Sequence, residues 1–149
     1  MLPLASSSQI PDRYVLDSYA ILAFFGSEPS ASIVRDLYSA AEAGRASLHL
    51  SVVNLGEVLY IEERERGLPH AQDVLAHIDQ LPIEIVHIDR SLALSAAHLK
   101  AATPVAYADC FAAALSLARN AVLVTGDPEF ARFDPSIGLR VKWLGNSAT

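Results

Sequence analysis

Residues 106–124, Ala106-Tyr107-Ala108-Asp109-Cys110-Phe111-Ala112-Ala113-Ala114-Leu115-Ser116-Leu117-Ala118-Arg119-Asn120-Ala121-Val122-Leu123-Val124, read as a helix that feeds a strand. The helix is predicted over Ala106 to Arg119, with Asn120 as its stop, because asparagine tolerates the left-handed turn that ends helices. Val122-Leu123-Val124 follows as a β-branched strand. The helix is apolar nearly all round, so it is largely buried. It spans about 20 Å, so its start lies level with the far, carboxyl end of the strand it precedes. Asp109 sits at that start, and the residues three and four further on are Ala112 and Ala113, which offer no charge partner. A buried, unpaired carboxylate is costly. A helix N-terminus returns only about 0.3–1 kcal/mol. A metal ion, or exposure in a cleft, accounts for Asp109 better.

The same alternation continues outward in both directions. Strands are predicted at Tyr14 to Leu16, Ser47 to Leu50, Glu84 to Ile88 and Leu139 to Leu144, with helices between them. The helices are expected around Tyr19 to Phe25, from Ser30 as N-cap to Ala43, about Val53 to Arg66, from Pro69 to about Gln80, and Arg90 to Ala102 behind an Asp89 cap. Short apolar strands alternating with helices define an α/β domain with a central parallel sheet of four to five strands. Residues 12–145 are read as one domain, residues 1–11, with Ser6-Ser7-Ser8, as a flexible leader, and residues 146–149 as a tail.

Ligands in such sheets bind beyond the carboxyl ends of the strands. Asp17 follows the first strand, Asp127 follows the fourth, and Glu57 lies early in the helix after the second. With Asp109, four carboxylates converge on one edge. Local roles exist for three of them: Asp17 or Ser18 as a helix cap, Asn54 and Glu57 at capping-box spacing, and Asp127 in the Gly126-Asp127-Pro128 turn. Together, however, neighbouring carboxylates repel and need cations or raised pKa values. An all-oxygen set suits a hard divalent ion, Mg2+ or Mn2+. Zinc is disfavoured, because His49, His70, His77, His87 and His98 form no ligand pair.

Composition narrows the alternatives. The 149 residues carry a formal net charge of −6, which argues against a broad electrostatic grip on nucleic acid. Arginine and lysine are few, so any RNA contact is expected to be local; Arg64, Arg66, Lys100 and Arg132 are candidates, with solvated surface charge as the default reading for each. Cys110 is the single cysteine, so no internal disulfide forms, and a cytoplasmic location is expected. No membrane span and no phosphate-binding glycine loop is read, so a nucleotide cofactor is not expected. Leu37, Tyr38, Tyr60 and Ile61 either extend an apolar face into a dimer contact or pack inside one subunit.

The strings that carry the acids resemble those of PIN-domain proteins. Val15-Leu16-Asp17-Ser18-Tyr19-Ala20-Ile21-Leu22, Asn54-Leu55-Gly56-Glu57-Val58, Tyr107-Ala108-Asp109-Cys110-Phe111-Ala112-Ala113-Ala114 and Leu123-Val124-Thr125-Gly126-Asp127-Pro128-Glu129-Phe130 stand in the family's order. The likeness runs from about Tyr14 to Leu144 and is nearest to VapC-type toxins of bacterial toxin–antitoxin pairs. It implies a PIN-like three-layer α/β/α fold and an Mg2+- or Mn2+-dependent endoribonuclease acting on RNA. It further implies a homodimer held by a cognate antitoxin, with Asp17, Glu57, Asp109 and Asp127 as catalytic and metal-binding residues supported by Ser18, Asn54 and Thr125. Two other roles keep the fold: a housekeeping RNA-processing nuclease, and a non-catalytic binding module. A haloacid-dehalogenase-like phosphatase is disfavoured, because position 19 is tyrosine rather than a second aspartate.

Overall fold

The computed structural model describes residues 10–145. Residues 1–9 of the expected leader and the expected tail, 146–149, lie outside the described residues. Five strands, β1 (Asp12–Leu16), β2 (Ala46–Ser51), β3 (Ile83–Val86), β4 (Val122–Thr125) and β5 (Val141–Trp143), form one sheet in the order β3-β2-β1-β4-β5. Every neighbouring pair is parallel. All five carboxyl ends therefore open on a single edge. The chain moves outward from β1 to β3, then returns past β1 to β4. The gap between β1 and β4 is thus the point where strand order reverses, the usual crevice for ligands.

The helices are α1 (Ser18–Phe25), α2 (Ala31–Glu42), α3 (Val52–Arg66), α4 (Leu68–Ile78), α5 (Arg90–Ala102) and α6 (Tyr107–Arg119). Alternate strand residues face opposite sides of the sheet. Leu16, Leu48, Leu50 and Val124 pack against Ala20, Ile21, Val34, Leu37, Val58, Val74 and Ile78 of α1–α4. Val15, Leu123 and Val86 pack against Leu92, Ala96, Leu99 and Cys110 to Leu115 of α5 and α6. Crossovers of one hand must change faces when the chain reverses direction, which gives the three α/β/α layers.

Strand ends follow their partners rather than the apolar runs. β1 begins two residues earlier than predicted because Asp12 finds Ala46 opposite. β3 runs 83–86 instead of 84–88, since β2 ends where Ser51 pairs Val86. β5 keeps only the three residues that meet Leu123 to Thr125. Ser30 precedes α2 but does not cap it with its side chain; its backbone is already helical, at φ −71° and ψ −9°. Helix α4 stops at Ile78, short of Gln80. Leu37 and Tyr38 face the core, so the apolar face proposed for them with Tyr60 and Ile61 is not continuous; Tyr60 is 51% exposed, beneath the Arg64 guanidinium.

A polar cluster ties the amino half of the sheet to the end of α6. Buried His49 contacts Ser47 Oγ at 3.1 Å and Glu84 Oε1 at 2.8 Å, and Arg119 reaches both His49 and Glu84 at 3.3 Å. Arg13 and Arg140 donate to the carbonyls of Arg119 and Asn120. These cations satisfy carbonyls that a helix C-terminus leaves free and complement its dipole.

The alanines of α6 let the helix lie close on the sheet: Ala112 and Ala113 are fully buried. Ala113→Leu is expected to cost about 1–3 kcal/mol by overpacking. Urea unfolding checks this, and an unchanged midpoint would contradict the close approach.

Candidate active site

Asp17 is the hinge between β1 and α1. Its backbone is extended, and its carboxylate is 2% exposed with both oxygens engaged. Oδ1 accepts from the Ala20 amide at 2.9 Å, which caps α1, and Oδ2 accepts from the Thr125 hydroxyl at 2.5 Å. Thr125 is the last residue of β4, so this bond spans the β1/β4 crevice. The Asp127 amide in turn donates to Thr125 Oγ1 at 3.0 Å. Asp127 Oδ1 caps the short 3-10 turn Pro128–Arg132 through the Glu129 amide at 2.9 Å. The local capping roles of Asp17 and Asp127 are therefore real. In Asp127 they occupy one oxygen and leave the other without a protein partner among the described residues.

Asp109 lies in the first turn of α6, 8% exposed. Burial pushes its pKa up to about 7, helped by the charges of Asp127, Glu57 and Glu129. Burial likewise pushes Asp17 to about 7 against the two hydrogen bonds that favour its ionised form, and Asp109 and Asp127 raise it further. The four acids predicted to meet are thus electrostatic neighbours in this fold. Glu57, half-buried in the second turn of α3, has an Oε1 that is buried and without a hydrogen-bond partner.

Asn54 is fully buried and joins two of these elements. Its Nδ2 donates to the Ala108 carbonyl at 3.2 Å, immediately before Asp109, while its Oδ1 accepts from Ser51 Oγ at 2.7 Å. Ser51, not Asn54, is the N-cap of α3, accepting from the Asn54 amide at 3.1 Å. The capping pair is consequently Ser51 with Asn54, which frees Glu57 from a capping role. Ser18 is half-buried and makes no side-chain hydrogen bond to these carboxylates among the described residues.

Glu129 was not singled out from the sequence, although its charge bears on Asp109. It pairs with Arg132 at 3.2 Å, and Arg132 also donates to the Pro104 carbonyl at 3.0 Å. Lys100 donates to the Val105 carbonyl. Both cations therefore hold the loop that delivers α6 and Asp109. Arg64 and Arg66 lie in the last turn of α3. A groove of about 680 Å3 between α5 and α6 is lined by Leu94, Leu99, Leu117 and Ile137 and contains none of the acids. Chemistry, not concavity, marks the site.

Among the described residues, no group of three or more His, Cys, Asp or Glu side chains stands in an arrangement that could hold a metal ion. An open carboxylate edge is what Mg2+ uses, since it keeps several waters and takes one or two carboxylates. The unpartnered Glu57 oxygen and the two carboxylates with raised pKa values are the features a divalent cation would relieve. Asp17, Asp109, Glu57 and Asp127 are the carboxylates that would have to draw closer together to hold one.

A parallel α/β domain with acids gathered where strand order reverses is a recognisable class. The family model for the PIN domain matches residues 14–135, and the chain belongs to the PIN domain family. No curated protein matches it. Among solved structures it is similar to the VapBC2 complex of Rickettsia felis bound to a promoter DNA fragment, at TM-score 0.72 and 19% identity, covering 89% of this chain and 99% of that one. The DNA-bound VapBC of Salmonella typhimurium gives 0.68 and 20%, covering 88% and 97%. VapC20 of Mycobacterium tuberculosis, described as a toxin that cleaves the sarcin–ricin loop, gives 0.58 and 14%, covering 85% and 93%. These likenesses establish the shared fold. No helix of the described residues is long and apolar enough to cross a membrane.

The raised carboxylates set a pH dependence. In the unfolded chain an aspartate loses its proton near 3.8, whereas folded Asp17 and Asp109 hold theirs to about 7. Between those values the folded state binds more protons, so these groups make stability fall as pH rises from about 4 to about 7. His49, whose pKa burial lowers, acts in the opposite sense. The comparison that isolates the site is wild type against Asp109→Asn in chelator: thermal melts should show the decline shallower in the variant, and identical pH profiles would contradict it.

Proposed function

We propose that this protein is an Mg2+- or Mn2+-dependent endoribonuclease, the toxin of a type II toxin–antitoxin pair. The observation that supports the reading is the mutual charge influence among the acids at the carboxyl edge, where Asp127 acts on both Asp17 and Asp109 and Glu57 acts on Asp109. Membership in the PIN domain family supports nuclease chemistry. Fold similarity to VapBC complexes supports an antitoxin partner, and similarity to a toxin that cleaves the sarcin–ricin loop supports RNA as substrate. A homodimer and a cytoplasmic location belong to the same proposal.

In this reading Asp17 and Asp109 hold the cation, and Asp127 binds it through water or holds a second one. A divalent ion bound there supplies Lewis acidity toward water and counter-charge for the phosphoryl oxygens. Thr125 fixes the Asp17 carboxylate with its hydroxyl, and Asn54 fixes the start of α6. Glu57 would complete the cation's carboxylate set or orient the attacking water with its unpartnered oxygen. An RNA phosphodiester would then be hydrolysed, one bridging P–O bond breaking as the water oxygen bonds to phosphorus and the leaving oxygen taking up, through solvent, the proton that the water gives up.

Asp17→Asn and Asp109→Asn should each abolish Mg2+-dependent RNA cleavage and relieve growth arrest while the protein stays folded. Full activity in either would reject the site. Mg2+ at 100 times its dissociation constant should stabilise the wild type by about 2.7 kcal/mol. Identical melts in chelator and in saturating Mg2+ would reject the metal.

A further inference from the structure

Tyr19 is an exposed aromatic residue at the rim of the acidic crevice, two residues after Asp17 and 39% exposed. Its ring lies directly on Gly126, the residue between Thr125 and Asp127. A Cβ built on Gly126 would stand 2.3 Å from the ring's Cε1 and 2.6 Å from Cζ, well inside any real contact. Gly126 is not among the residues with positive φ, so its backbone does not itself require glycine. What the missing side chain provides is room for the Tyr19 ring. Positions 19 and 126, more than a hundred residues apart, are therefore matched to each other at the point where Asp17 and Asp127 meet.

That arrangement presses the ring onto the backbone that carries Asp127. The phenol donates and accepts no hydrogen bond among the described residues. An exposed aromatic ring beside a site that handles an RNA phosphate is a platform for an unstacked base, since every base has a π-face and single strands are bound by stacking. The chain's net charge of −6 makes such a neutral contact more valuable.

We infer that Tyr19, seated against Gly126, stacks on the nucleobase next to the scissile phosphate. The inference rests on the ribonuclease reading above and names a residue that would position the RNA at that site. Tyr19 is a positioning residue: it touches a base, not the reacting atoms.

The test measures binding in Mg2+ of a 2′-O-methyl single strand of about eight nucleotides, a length within the usual span of a single-strand site. The proteins are wild type, Tyr19→Phe, Tyr19→Ala and Gly126→Ala. Gly126→Ala keeps the tyrosine but displaces its ring. Tyr19→Ala and Gly126→Ala should each weaken binding roughly five- to a hundredfold, the range expected for losing one stacked base. Tyr19→Phe should stay within about twofold. The Mg2+-induced rise in melting temperature should be the same in all four, which separates loss of stacking from loss of the cation or of the fold. A Tyr19→Ala protein that binds as tightly as a binding-competent wild type overturns the stacking role alone. A wild type that binds no strand and shows no Mg2+ shift overturns the ribonuclease reading itself.

Discussion

Burying negative charge is the constraint around which this domain is arranged. Asp17 and Asp109 are both nearly inaccessible, and both are pushed to about pKa 7, first by desolvation and then by other carboxylates. Hydrogen bonds to the ionised form counter this in Asp17, through the Ala20 amide and the Thr125 hydroxyl, but the balance still favours the proton. A fold selected for stability alone would replace such groups with apolar ones of similar size. Their position at the strand-reversal crevice makes this a local concession in an otherwise well-satisfied structure.

The remainder of the molecule keeps that strained edge rigid. Parallel pairing places every strand's carboxyl end on one side, and β1 lies between β2 and β4. The alanine-rich α6 approaches the sheet closely, so the first turn bearing Asp109 has little freedom to move outward. Asn54 fastens that turn to α3, while Arg13, Arg119 and Arg140 fasten the opposite end of α6. Both ends of one helix are thus anchored by buried or charge-assisted hydrogen bonds, and the carboxylate it carries is held where separation from its neighbours would require moving a helix.

Much of this was legible in the sequence because it rests on periodicity. The all-round apolar surface of 106–119 forecast a buried helix, and the partnerless Asp109 within it forecast an acidic edge. Asp89 and Asn120 forecast a cap and a stop, and both appear where expected. What escaped the sequence depends on pairing in three dimensions. Ser51 caps α3 only because β2 extends that far to meet Val86, which no local pattern reveals. Glu129 matters only because the 3-10 turn after Asp127 carries it back toward Asp109, and in sequence it looks like an ordinary charge in a turn. The match of Tyr19 to Gly126 is less visible still, since it is a contact of shape between distant positions.

The unusual charge balance then takes on meaning. Several cations of this chain are already committed to internal acceptors: Arg13, Lys100, Arg132 and Arg140 to main-chain carbonyls, and Arg119 to Glu84. Each is held by a partner that would have to be released before a phosphate could take its place. With a net charge of −6 as well, the chain is poorly suited to a broad electrostatic grip on a polyanion. If it handles RNA, attraction must come from a cation neutralising the acidic edge, and orientation from uncharged groups beside it. Both requirements fall on the same short segment, Thr125 to Asp127, where one residue fixes a carboxylate, the next makes room for an aromatic ring, and the third supplies another carboxylate.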